Sequence, residues 1–87
     1  MRLTLAGFAD AAMNPIEACH VALGAKIRVI REALGMSQDD LAKKVGLTRV
    51  SVTNVEIGRQ RFLLDGVENY ARALGTTPKN LLKGIWW

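Results

Sequence analysis

The stretch QDDLAKKVGLTRVSVTNVEI, Gln38 to Ile57, decides how the chain is read. Its apolar residues and its glycine describe two short helices joined by a tight turn. Helices joined in that way cross steeply, and the crossing constrains which residue types fit. Ala42 falls where the two would meet, and a larger side chain there would push them apart. Gly46 can take a positive φ in the turn at little cost. Leu41, Val45, Leu47, Val52 and Val55 supply the shared apolar contacts. None of these residues is informative alone; their order and spacing carry the signal.

The reading extends in both directions. Ser37, with Asp40 three residues on, forms a capping pair for the first of these helices. The second is expected from about Thr48 to Ile57, closed by Gly58. Upstream, Asn14 can cap a helix that begins with Pro15, and Glu17 completes a box-like pattern. Apolar residues then recur at Ile16, Cys19, Leu23, Ile27, Ile30 and Leu34, with Gly24 as a point of bending or breakage and Gly35 as the stop. Downstream, Leu64, Val67, Ala71 and Leu74 keep three- and four-residue intervals before Gly75, and Thr77-Pro78 caps a last short helix carrying Leu81 and Leu82. No segment alternates with period two long enough for a strand. The expectation is an all-α bundle of five helices over residues 14–87, behind a flexible arm at 1–13 in which Met13 is an alternative start.

Composition sets outer bounds. With 87 residues, 49% hydrophobic and 23% charged, the chain can build one modest core and no cleft between domains. Five aromatics leave Leu, Ile, Val and Ala to fill that core. The net charge of +4 is unevenly spread: Lys43, Lys44, Arg49, Arg59 and Arg61 face a single acid, Glu56, between positions 43 and 61. Such a cluster suits an acidic partner such as nucleic acid. Cys19 is the one cysteine, so an internal disulfide is impossible and a reducing cytoplasm is the expected setting. The opening MRLTLAGFAD is too weak for a secretory signal, and nothing resembles a membrane span. Zinc ligation fails on counting, with one Cys and one His. Those two, Cys19 and His20, are adjacent and point apart on a helix, a poor nucleophile–base pair. Neither an enzyme nor a cofactor is expected.

The helix from Thr48 can be read on its own wheel, at about 3.6 residues per turn. Thr48, Val52 and Val55 fall on one side; Val50, Thr53, Asn54 and Ile57 fall on the other, with Arg49 at the flank. That outward set is chemically apt for base edges: Asn can bind adenine bidentately, Arg can bind guanine, and Val or a Thr methyl can meet a thymine methyl. The Ser37 hydroxyl and the amides beside it suit a phosphate, because helix N-termini attract anions. Arg59, Gln60 and Arg61, past the end of that helix, would reach further phosphates.

From about Leu23 to Gly84 the chain resembles the phage repressor and Cro-like helix-turn-helix family, also called the xenobiotic-response-element family. The matching residues are Ile27-Arg28 through Arg31, Gly35-Met36-Ser37-Gln38, Leu41-Ala42, Gly46-Leu47, Val55-Glu56, Gly58-Arg59, Ala71 with Ala73-Leu74-Gly75, and Leu81-Leu82. The resemblance implies a five-helix lambda-repressor-like fold, a homodimer, and a third helix that reads the major groove of double-stranded DNA. By family position it implies Gln38, Thr48, Arg49, Val50 and Asn54 as the groove-facing set, with Thr53 beside them. It also implies an ion pair between Arg31 and Glu56.

One departure stands out. Phe62 and Leu63 occupy the start of the fourth helix, where relatives often carry Pro and a capping Ser or Thr. With Ile85, Trp86 and Trp87 they form a candidate dimer surface, although the tryptophans could equally fold back on their own core. The function expected is a sequence-specific transcriptional regulator, a homodimeric repressor of an inverted-repeat operator. The alternative is a protein-binding antitoxin that also controls its own promoter. Asp39 and Asp40, on an accessible helix, raise contact with RNA polymerase as a further possibility.

Overall fold

The computed structural model describes residues 15–85, and every regular element among them is an α-helix. In chain order these are α1 (Pro15–Ala33), α2 (Gln38–Val45), α3 (Arg49–Glu56), α4 (Leu64–Ala73) and α5 (Pro78–Leu82). The arm at 1–13, the Asn14 cap and Trp86–Trp87 lie outside the described residues.

Local chemistry sets the ends of the helices. Ser37 and Asp40 close a full capping box: Asp40 N donates to Ser37 Oγ at 3.0 Å, and Ser37 N donates to Asp40 Oδ2 at 3.1 Å. Gly46 ends α2 in the left-handed region at φ +75°, a conformation that a Cβ would oppose. Thr48 caps α3 by accepting from Ser51 N, and Thr77 caps α5 by accepting from Asn80 N. Leu63, at the same position before α4, offers no side-chain cap. Thr48 is therefore extended (φ −87°, ψ 160°) and exposed, off the inward face where a helical wheel puts it.

The core is shared by all five helices: Leu23, Ile27, Leu41, Ala42, Val45, Val52, Val55, Val67, Tyr70, Ala71, Leu74, Leu81 and Leu82. Tyr70 joins it although the apolar spacing of α4 passes it by. Leu64, which that spacing includes, has a side chain outside the described set. Leu47 was expected among the shared contacts but is 45% exposed, one residue past the turn.

The buried face of α1 also differs from the expected stripe. It runs through Ala18, Leu23, Gly24, Ile27 and Arg31, while Ile16 and Leu34 are more than half exposed. Gly24 explains the shift. Helix α1 passes it without a break, and its missing side chain lets the backbone of α1 lie against the carbonyls of Val55 and Glu56 at the end of α3. At the far end Lys26 Nζ donates to the carbonyls of Asn80 (2.7 Å) and Lys83 (2.8 Å), tying the end of α5 back to α1.

Two glycines should then respond in opposite directions. Gly24→Ala would drive a methyl into the Val55 carbonyl, an overpacking that costs roughly 1–3 kcal/mol. Gly66→Ala meets only Phe62 at 3.8 Å and should stabilise by roughly 0.5–1 kcal/mol through helix propensity. Thermal denaturation followed by circular dichroism should show the first melting lower than the parent and the second higher.

Candidate nucleic-acid interface

Helix α3 turns Val52, Val55 and Glu56 inward. Arg49 and Val50 stand out at its start, with Val50 68% exposed, and Thr53 and Asn54 are half-buried at its flank. Among the described residues no hydrogen bond engages the Asn54 side chain; its backbone carbonyl accepts from Arg59 N at 2.9 Å. The result is a short rod with a polar and methyl-bearing edge and a cation at its N-terminal flank.

An ion pair with almost no solvent contact orients this rod. Arg31 Nε donates to Glu56 Oε2 at 2.7 Å and Arg31 Nη2 to Glu56 Oε1 at 3.2 Å, while Nη1 donates to the Met36 carbonyl at 2.7 Å. The two side chains are 9% and 1% exposed. The hydrogen bond to Glu56 raises the Arg31 pKa, outweighing the opposing effect of burial. Gln38, at the start of α2, completes the cluster. Its Nε2 donates to Glu56 Oε1 at 3.1 Å and its Oε1 accepts from Thr53 Oγ1 at 3.0 Å. Of the expected groove-facing residues, then, Arg49 and Val50 present exposed side chains, Asn54 is half-buried, Thr48 serves as a cap, and Gln38 and Thr53 hold one another.

The expected phosphate contacts divide similarly. Ser37 already spends its amide and an oxygen lone pair on Asp40, whose carboxyl is held below the usual range first by the Ser37 amide and then by the Ser37 side chain. Arg59, Gln60 and Arg61 are all exposed on the loop between α3 and α4.

That loop is fastened at both ends. Gly58, at φ +81°, packs on Val21, and Phe62 N donates to His20 Nδ1 at 3.1 Å. The Phe62 ring stacks on His20, 6.1 Å between centroids at 11°, and meets Tyr70 edge-on at 5.7 Å. Phe62 is therefore half-buried against its own core rather than offered whole to a partner. Leu63 is 73% exposed, and Ile85 is half-buried against the core. Between them lies an apolar groove of about 410 Å³, lined by Ile16, His20, Leu23, Leu63, Val67 and Ile85 among others. Nothing near His20 in the sequence signals this role, because its partner is a backbone amide 42 positions away. Likewise Asn69, whose Nδ2 donates to the Val45 carbonyl at 2.9 Å and closes the end of α2, gave no signal in the sequence.

Two short helices joined by a glycine turn, the second with an exposed outer edge, backed by a basic loop inside a five-helix bundle, define a DNA-binding regulator of lambda-repressor-like architecture. The chain belongs to the helix-turn-helix domain family, whose sequence profile matches residues 22–82. It is similar to the control protein C.BamHI of Bacillus amyloliquefaciens, 40% identical over 60 residues that span 68% of this chain and 74% of that one. The crystal structure of the restriction-modification controller protein C.AhdI from Aeromonas hydrophila superposes with a TM-score of 0.70 at 38% identity, covering 74% of this chain and 97% of that one. The DNA-binding domain of the P22 C2 repressor, solved by nuclear magnetic resonance, gives 0.68 at 31% identity over 71% of this chain and 82% of that domain. The protein is thus a DNA-binding transcriptional regulator and not an enzyme. These relatives lend no support to the antitoxin alternative.

The geometry leads to two expectations. Truncating one partner of the buried pair, as in Glu56→Ala, should cost about 3–5 kcal/mol in urea denaturation, whereas Arg31→Met with Glu56→Leu should recover most of that loss. Burial, and then Arg61, lower the His20 pKa, so the folded state resists its protonation. The stability this lends is complete above the unfolded imidazole pKa of about 6.5 and is lost as the pH falls through the lower folded value. Unfolding midpoints measured down a pH series should fall more steeply for the parent than for His20→Ala.

Proposed function

We propose that the protein acts as a homodimeric repressor of an inverted-repeat operator, with each α3 laid in a major groove. In this reading Arg49, Val50 and Asn54 touch base edges and Thr48 sets the start of the helix, with Gln38 and Thr53 beside it. Arg59, Gln60 and Arg61 hold the phosphates and supply affinity without reading sequence, and Ser37, its amide already bonded to Asp40, adds a weaker contact through its hydroxyl. The single observation that carries the reading is the exposed edge of α3 at Arg49 and Val50, held by a buried ion pair and flanked by an exposed basic loop. Two copies would place their α3 helices about one DNA turn, roughly 34 Å, apart. Leu63 and Ile85 are the described apolar residues at hand for the contact between copies. Similarity to two control proteins, one of them a restriction-modification controller, supports a regulatory role.

Selection from random duplex DNA tests this directly. The parent should enrich a palindrome. Arg49→Ala should relax the preference at one position of each half-site, costing about 1–3 kcal/mol there. Arg61→Ala should weaken all duplexes alike and lower the slope of log affinity against log salt by about one. Selected sequences indifferent to every substitution on α3 would overturn the reading.

A further inference from the structure

The amide of Gln38 sits at the junction of α2 and α3 with both of its ends engaged. A carboxylate only accepts, so the amide nitrogen must face Glu56 and the amide oxygen must face Thr53. Glu56 is itself fixed to α1 by Arg31, and Arg31 to the turn before α2 through the Met36 carbonyl. Hydrogen bonds thus run without interruption from Met36 through Arg31, Glu56 and Gln38 to Thr53. The Thr53 hydroxyl lies 3.0 Å from both Gln38 Oε1 and the Arg49 carbonyl, so its one proton is shared between the network and the first turn of α3.

We infer that Gln38 and Thr53 are positioning residues and not base readers: together they transmit the hold of the Arg31–Glu56 pair to the N-terminal half of α3 and set the rotation from which Arg49, Val50 and Asn54 are presented. The inference rests on the DNA-reading role of α3 proposed above. Its physical content lies in where α3 is fixed. Val52, Val55 and Glu56 anchor the inner face of an eight-residue helix, and the ion pair clamps its C-terminal end. Apolar contacts tolerate rotation of a few degrees because they are not directional. The hydrogen bond from Thr53 to an amide that cannot turn is directional. It meets α3 one turn before Glu56, so the two attachments together define an orientation that neither defines alone. The adenine-binding edge that a glutamine could offer is, in this arrangement, committed to holding the plane of its own amide.

The test uses the full chain, the duplex selected by the parent protein and a scrambled duplex of equal length, in a double-mutant cycle on Gln38→Ala and Thr53→Val. Each single variant should lower the ratio of selected to scrambled affinity about tenfold, leave scrambled binding within about twofold, and relax the same base positions as Asn54→Ala. The double variant should lose no more than either single one, because both cut the same link. Thr53→Ser, which keeps the hydroxyl, should restore the ratio. Scrambled binding at low salt serves as the folding control in every case. Additive losses, or preferences relaxed at two different base positions, would make the two residues independent readers and overturn the inference. Equal weakening of both duplexes by Gln38→Ala would make Gln38 a phosphate contact and overturn it equally. If the parent itself shows no preference between the duplexes, it is the proposed DNA-reading function that fails.

Discussion

The carboxylate of Glu56 is where the angles of this fold are decided. It takes two hydrogen bonds from Arg31 on α1 and a third from Gln38 on α2, while its own backbone ends α3. Burying two charges is costly, and a well-packed apolar pair of equal volume would stabilise the domain at least as well. Directionality is what the apolar pair would lack. A guanidinium fork meeting a carboxylate side-on admits one mutual orientation, and that orientation fixes how the three helices cross. The pair can form because Gly24 sits two helical turns before Arg31 and brings the α1 backbone against the carbonyls of Val55 and Glu56. With a side chain at position 24 the helices would separate, and the guanidinium would have further to reach.

Features governed by neighbouring residues were legible in the sequence. The capping box of Ser37 and Asp40, the left-handed Gly46 and the Thr77-Pro78 start all depend on chemistry within four residues, and the sequence states that chemistry outright. The exposed start of α3 at Arg49 and Val50 was also legible, since a single helical wheel places it. What escaped depends on contacts between elements. The stripe on α1 was read too near Ile16 and Leu34, because apolar spacing cannot register that a glycine and an arginine share the buried face. Gly24 looks like a breaker until the helix it touches is known. Phe62 looked like exposed surface because its partners, His20 and Tyr70, come from the first and fourth helices and meet only in the folded chain. Gln38 had the right composition for a base contact, and nothing local to it reveals that Glu56 and Thr53 take up its amide.

The distribution of charge around the motif bears on how affinity and selectivity are divided. A helix N-terminus ordinarily attracts an anion through its free amides and dipole. At α2 that place is partly filled by the chain itself: the Asp40 carboxylate bonds the Ser37 amide, and Asp39 adds a second negative charge in the first turn. A phosphate arriving there would compete with a bond already made and meet two like charges. In the proposed complex the stronger backbone attraction therefore comes from the other end of the motif, from Arg59 and Arg61 on a loop held by Gly58 against Val21 and by Phe62 against His20. Nonspecific affinity in that complex scales with the number of phosphates these cations neutralise. The smaller that term, the larger the share of the total binding free energy left to the contacts of α3. Under that division the rigid placement of α3 matters more than the number of positive charges around it, which accounts for a motif that spends a buried ion pair and a glutamine on orientation.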